Sequence, residues 1–493
     1  MAQDLRRCCF AAMFGLSALF ALAASQPEGA LKRFPPVTTY VDSFVDNFDL
    51  TNTQTFRQKV LTYDKWWRQG NPIMLYLGNE GSIEAFYDNT GAIFEHAEAL
   101  NASVVFVEHR YYGTSFPRGR NTTDLSGLTV EQAMADYAWF IKGLRQRLDC
   151  EAHQCATVTF GGSYGGMLVA WFRQKYPQTH AGGIAGSAPV DFYPNTGVQE
   201  RFWNATMHTF TKFGTSGCGE AVNSGLARVA NLSLTAKGRL LFEQQLHSCL
   251  PLHNETTAGA KVDLFIRGVL ASLAMLDYPV ATDFVVPLPA NPVQHACEAL
   301  ENQSDPMIGL RKVVDLFLNG TGGFRCYDYM AEMVGRVTNG KFLGPQVQPD
   351  MGNWQYQACN EMILETLTSD GFGFYPPTDA QVKEVTAACE SRYGVTPRPE
   401  WLPLSLGASD LRVGQLLFTD GEKDPWHVGA PRLDPSLKLD IVHHMIPGAA
   451  HHEDLRFDPP NPRPAVVAAK KLARDSIRRW VAQAAGVGHE VLV

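Results

Sequence analysis

Thr157-Val-Thr-Phe-Gly161-Gly162-Ser163-Tyr164-Gly165-Gly166-Met167 sets a glycine cluster between an apolar run, Ala156 to Phe160, and an amphipathic stretch, Met167 to Tyr176. Strand, sharp turn, helix is the context in which Gly161-x-Ser163-x-Gly165 reads as a nucleophile elbow. The glycines let the chain reverse and leave room beside a serine held in a strained conformation. Ser163 is then the expected nucleophile, and the amide of Tyr164, at the helix start, faces the developing oxyanion. A second oxyanion donor is expected from an earlier strand's loop, Gly78-Asn79-Glu80-Gly81, with Gly81 supplying it. The plain alternative is a glycine-rich strand-to-helix turn without chemistry.

Working outward, residues 72–77 and 103–107 are short apolar runs closed by turn residues, which predict buried strands. Val130, Ala133, Tyr137, Ile141 and Leu144 recur at helical spacing, so a helix is expected over 130–147, with Thr129 and Glu131 near its start. Late strands are expected at Gly414 to Phe418 and Leu439 to Met445, and a closing helix at Val466 to Ala485. Strand and helix in alternation signal a parallel sheet wrapped by helices, an α/β fold. Between about 191 and 400 strand runs become scarce, while six cysteines and most of the sequons fall there. This predicts a mainly helical, disulfide-tied insertion. The expected organisation is a signal peptide at 1–25, a first core part at 26–190, the insertion at 191–400 and a second core part at 401–493.

A serine needs a histidine to remove its proton and a carboxylate to orient that histidine, in the chain order Ser, acid, His on this fold. After the late strand comes Thr419-Asp420-Gly421-Glu422-Lys423-Asp424-Pro425-Trp426, where Asp420 and Asp424 compete. Downstream, His443, His444, His451 and His452 compete as well. His443 and His444 sit inside an apolar strand pattern, whereas His451 follows a small-residue turn from which a base can reach a serine.

The chain has 493 residues and a net charge of -8, with 45% hydrophobic and 19% charged residues, which argues against disorder and against a nucleic-acid partner. Arg6 and Arg7, the apolar stretch Cys8 to Ala24 and Ala21-Leu22-Ala23 read as a cleaved secretory signal, so no membrane association is expected afterwards. Sequons stand at Asn101, Asn121, Asn204, Asn231, Asn254, Asn302 and Asn319, consistent with a glycosylated surface. Beyond the signal, Cys150, Cys155, Cys218, Cys249, Cys297, Cys326, Cys359 and Cys389 form an even set without a CxxC pair. That pattern favours disulfides in an oxidising compartment over a metal site, and no cofactor is called for.

At these residues the chain resembles the lysosomal prolyl serine peptidases, the family of prolylcarboxypeptidase and dipeptidyl peptidase II. The resemblance rests on Gly78-Asn-Glu-Gly81, Glu108-His-Arg-Tyr-Tyr-Gly113, Leu128-Thr-Val-Glu-Gln-Ala133, Gly161 to Met167, Trp354-Gln-Tyr-Gln-Ala-Cys359, Asp424-Pro-Trp426, Ala450-His-His452 and Asp454-Leu-Arg456. It implies the triad Ser163, Asp424 and His451, and an α/β-hydrolase core with a helical cap inserted between its halves. It suggests the bridges Cys218–Cys297, Cys249–Cys326 and Cys359–Cys389, leaving Cys150 and Cys155 as a local extra pair. Met167 and Trp426 are expected to line an apolar pocket for proline, and Glu80 to join the substrate contacts. The implied partners are proline-containing peptides, with room for a homodimer, in a lysosome or other acidic vesicle or outside the cell.

Within that family two reactions compete. Leu288-Pro-Ala-Asn-Pro-Val293, Leu276-Asp-Tyr-Pro279 with Thr282-Asp-Phe284, and Cys326-Tyr-Asp328 look more like dipeptidyl peptidase II, which makes release of N-terminal X-Pro or X-Ala dipeptides the preferred reading. Glu332 and Asp350 are the candidates to hold the substrate amine. The alternative is a prolyl carboxypeptidase, releasing the residue after proline and needing a cation or amide donors for a carboxylate. An esterase or an inactive binding protein on the same fold stands behind both. Work in acid requires an unprotonated base, and positive charge from His452 or Arg456 is expected to help keep His451 so.

Overall fold

The computed structural model describes residues 29–486 apart from 121, 152, 194–197, 321, 330–350, 363–385, 388 and 409. The expected signal segment lies outside that range. Eight strands, β1 Val37–Phe44, β2 Thr55–Tyr63, β3 Ile73–Leu77, β4 Ser103–Val107, β5 Thr157–Gly162, β6 Gly182–Gly186, β7 Leu416–Gly421 and β8 Ile441–Ile446, form one sheet. Their order is β1-β2-β4-β3-β5-β6-β7-β8, antiparallel across β1–β2 and β2–β4 and parallel from β4 to β8. This is the α/β-hydrolase arrangement.

Every residue of β3, β4, β5, β6 and β7 is buried, and β3 and β4 accordingly read as near-continuous apolar runs. Successive side chains still alternate between two cores. Met74 and Tyr76 pack with Phe86, Phe94 and Phe106, while Ile73, Leu75 and Leu77 pack with Met134, Tyr137, Phe140 and Leu168. Each such buried side chain contributes about 1.5–3 kcal/mol. The helix expected over 130–147 runs Val130–Arg147, with the Thr129 hydroxyl accepting from the Gln132 amide at 3.2 Å.

Three strands went unforeseen. β1 and β2 form a hairpin at the sheet edge, and β1 is largely solvent-exposed, so neither presents a continuous apolar run. β6 is Gly-Gly-Ile-Ala-Gly, a composition that argues against a strand. Close packing explains its glycines: a Cβ on Gly182 would lie 2.3 Å from Trp480, and one on Gly183 2.5 Å from Val169.

Between β6 and β7 the described chain is helical, with helices at Val198–Phe213, Cys218–Ser233, Ala236–Gln245, Ala258–Met275, Pro292–Glu301, Pro306–Leu318 and Met351–Gln357. The pairing of its cysteines follows the resemblance, Cys218–Cys297, Cys249–Cys326 and Cys359–Cys389, and Cys150–Cys155 closes the local loop. A single π-helical turn, Ala358–Met362, carries the buried Glu361, whose carboxylate oxygens accept from the Val130 amide at 3.1 and 3.0 Å. The insertion thereby caps a core helix.

Two predictions follow from burial. Desolvation pushes Glu361 up to about 8, against the lowering effect of the Val130 and Gln357 hydrogen bonds. A carboxyl raised in the folded state contributes its full stability below the ordinary carboxylate range and loses it as pH rises through about 8. Denaturant unfolding at pH 6.5 and 8.0 is therefore expected to show a loss of up to about 1.4 kcal/mol per pH unit, absent in Glu361→Gln; an equal loss in the variant would count against this. The second concerns sugars. Asn101, Asn204, Asn231, Asn254 and Asn302 are exposed, whereas Asn319 bonds both ways to Phe324, Nδ2 to its carbonyl at 3.0 Å and Oδ1 to its amide at 2.9 Å. Mass-spectrometric site occupancy should find the first five glycosylated and Asn319 bare.

Candidate active site

Ser163 is the single residue between β5 and the helix Tyr164–Lys175, at φ 57° and ψ −126°. A non-glycine residue there costs on the order of 1–3 kcal/mol and persists only where its surroundings impose it. The Ser163 amide donates to the Gly186 carbonyl of β6 at 2.9 Å, and its own carbonyl accepts from Met167 at 3.0 Å. Gly161 is obligatory, because a Cβ would meet the Gly165 carbonyl oxygen at 2.1 Å. Ser163 is left half-exposed among buried neighbours.

The two aspartates at the end of β7 take different partners. Asp424, fully buried, caps the short 3-10 turn Pro425–Gly429: Oδ1 accepts from the Trp426 amide at 3.1 Å, and Oδ2 lies 2.6 Å from His451 Nδ1. Asp420 lies 2.9 Å from His443 Nε2. His444 stays in β8. The insertion holds the main chain of His451 from both sides: its amide donates to the Met275 carbonyl at 3.0 Å, and its carbonyl accepts from the Tyr278 hydroxyl at 3.0 Å.

The His452 ring lies tilted beside that of His451, centroids 4.4 Å apart, and its amide donates to the Ser187 hydroxyl at 2.7 Å. Burial first, then the neighbouring His451 and Arg456, drives its pKa well below the ordinary histidine value. Burial thus disfavours on His452 the positive charge expected near His451 and leaves that role to Arg456. Its guanidinium lies over Tyr278 at 4.4 Å and Phe284 at 5.3 Å, and donates to Asn89 at 2.9 Å and Thr282 at 3.2 Å.

Tyr164 is the first helical residue, and an amide there has no partner within its helix. Gly81 departs from expectation, since its N–H already donates to the Asn79 carbonyl at 2.8 Å in a tight turn. Asn79 in turn donates its side-chain amide to the Gly162 carbonyl at 3.3 Å, locking this loop to the elbow. Glu80 sits between them, half-buried, with Oε2 shielded and unpartnered. Met167 is buried in the apolar cluster that Trp426 packs against, and Trp426 touches Phe192 at 5.0 Å and Phe202 at 4.8 Å. Glu332 and Asp350 lie outside the described residues.

Sequence reasoning missed how the insertion reaches the elbow. The Tyr164 hydroxyl accepts from Gln357 Nε2 at 2.6 Å and lies 3.1 Å from His109 Nε2, while Gln357 Oε1 accepts from Tyr112 at 2.9 Å. Trp354 packs on the Tyr164 ring at 5.3 Å. The signal was present in Trp354-Gln-Tyr-Gln-Ala-Cys359, but nothing local says what that motif touches.

The two aspartates make opposite predictions. Asp424→Asn removes the acceptor on His451 Nδ1 and should lower kcat by roughly 10³–10⁴-fold. Asp420→Asn should cost no more than a few-fold, because its partner is His443. Comparable losses in the two variants would refute this division of labour.

Comparison with known proteins places this geometry. The family model for serine carboxypeptidase S28 matches residues 43–473. The lysosomal Pro-X carboxypeptidase of Pongo abelii is 34% identical over 452 residues, covering 90% of this chain and 88% of that protein. The lysosomal Pro-X carboxypeptidase of Mus musculus is 33% identical over 473 residues, with coverages of 93% and 92%. A prolyl carboxy peptidase like protein of Caenorhabditis elegans is 31% identical over 486 residues, with coverages of 94% and 93%. The match spans both halves of the sheet and the insertion between them, and on it the chain belongs to the serine carboxypeptidase S28 family, the serine-type exopeptidases that the elbow and its resemblance foreshadowed.

Proposed function

We propose that the protein is a prolyl carboxypeptidase, releasing the C-terminal residue that follows proline. The observation that carries this reading is the full-length similarity to relatives described as Pro-X carboxypeptidases. It reverses the preference drawn from the short dipeptidyl-peptidase-like phrases at 276–293 and 326–328, whose Tyr278 holds only the main chain of His451.

In this mechanism the Ser163 hydroxyl attacks the proline carbonyl while His451 takes its proton at Nε2. Asp424, bonded to Nδ1 at 2.6 Å, fixes the tautomer and stabilises the imidazolium. The Tyr164 amide receives the oxyanion. His451 then returns the proton to the leaving amine, and water enters to release the proline acid from Ser163. Trp426, half-buried over the apolar cluster that holds Met167, offers an apolar wall that suits a proline ring. Among the described residues no helix is long and apolar enough to cross a membrane, and a lysosomal or secreted location fits the relatives' names.

Two peptides test the reading at about pH 5.5, one with a blocked N-terminus ending in Pro-Phe with a free carboxylate, the other a free-amine Ala-Pro reporter. Cleavage of the first and not the second is expected, with Ser163→Ala abolishing it. Cleavage of the reporter alone would restore the dipeptidyl peptidase.

A further inference from the structure

We propose that Lys423 is a positioning residue: paired with Asp277 of the insertion, it holds Asp424 and His451 in register with each other. The inference rests on the roles given above to Ser163, Asp424 and His451, and it is independent of which end of the peptide is released.

Lysine is almost never fully buried without a partner. Here the Lys423 and Asp277 side chains are only 5% and 2% exposed, with Nζ 2.5 Å from Asp277 Oδ2. The same ammonium donates to the Asp277 carbonyl at 3.2 Å and lies 5.0 Å from the centre of the Phe213 ring. Asp277 is itself fixed, since Oδ1 accepts from the Val293 amide at 3.0 Å, in the first turn of the helix Pro292–Glu301. Sealing the insertion against the core does not call for such a pair. Apolar residues of similar volume would serve as well, because desolvating two charges offsets most of their attraction. What the pair adds is a fixed direction and distance.

The two residues stand where direction matters. Asp277 lies between Met275 and Tyr278, whose carbonyl and hydroxyl bond the amide and carbonyl of His451. Lys423 directly precedes Asp424, whose Oδ2 lies 2.6 Å from His451 Nδ1. These contacts close a ring. It runs from Lys423 to Asp277, along the chain to Met275 and Tyr278, across to His451, across to Asp424, and back through the peptide bond to Lys423. Within it the ion pair ties the cradle of the base to the loop of the acid.

The main chain of Lys423 has two further ties, its amide donating to the Ala449 carbonyl at 2.9 Å and its carbonyl accepting from the Thr209 hydroxyl at 2.8 Å. Neither reaches residues 275–278, so without the ion pair the cradle and the acid loop can shift past one another. A displacement of about 1 Å in a catalytic group costs roughly 10²-fold in rate.

The test uses the full-length glycosylated enzyme and whichever of the two peptides above the wild type cleaves. The double variant Lys423→Met/Asp277→Leu replaces the pair with apolar side chains, whereas Asp277→Glu keeps both charges and lengthens the arm by a methylene. Both are expected to melt close to the wild type, while kcat falls roughly 10–100-fold and KM changes by less than about twofold. The downfield proton resonance of His451 Nδ1–H, identified by its absence from Asp424→Asn, should shift or broaden in both. Wild-type kcat and an unmoved resonance in the folded double variant overturn the proposal, as does a loss confined to melting temperature. Failure of both variants to fold assigns the pair to the fold alone and overturns it too. Asp424→Asn separates the two readings. Wild-type kcat in that variant removes the triad itself, whereas a large loss there beside an unaffected double variant removes only the role of Lys423.

Discussion

The left-handed backbone of Ser163 is the constraint to which the surrounding structure answers. A serine at φ 57° is held there by β6, whose Gly186 carbonyl receives its amide, and by the first turn of the following helix. For β6 to come that close, the helix packed on it must ride against bare backbone, hence glycine at 183; the closing helix Pro464–Ala484, which presents Trp480, makes the same demand at 182. The reversal also requires Gly161 and brings Asn79 against Gly162. Packing, loop position and exposure of the serine hydroxyl are thus one solution and not three.

The central strands were legible because burial on both faces leaves an apolar run that nothing else resembles, and the helix at 130–147 announced itself through Thr129 and its spacing. β6 was illegible because its residues are chosen for what they lack. The order Ser, Asp, His could be read along the chain; the choice between Asp420 and Asp424 could not, since both lie near the end of β7, Asp420 within the strand and Asp424 capping the turn after it. Gln357 was beyond reach for another reason. Its partner Tyr164 stands 193 positions away, and no local pattern records such a bond.

The insertion is more than a cover. Met275 and Tyr278 grip the main chain of His451, and Asp277 pairs with the buried Lys423 at 2.5 Å, one residue before Asp424. Gln357 and Glu361 anchor its other end to Tyr164 and to the amide of Val130. His451, Lys423 beside Asp424, and Tyr164 of the elbow are thus each bonded to residues of the insertion.

The bond between Gly186 and its partner strand has a temporal side. Gly183 to Gly186 pair with Leu416 to Thr419, so this edge of β6 waits for some 230 residues to emerge before it finds β7. Closing so long a loop is entropically costly until the intervening chain has compacted. The bridges Cys218–Cys297 and Cys249–Cys326 lie wholly inside that interval and shorten the loop it must close. Asp424 and His451 both lie in about the last seventh of the chain, so Ser163 is synthesised long before the two groups expected to activate it.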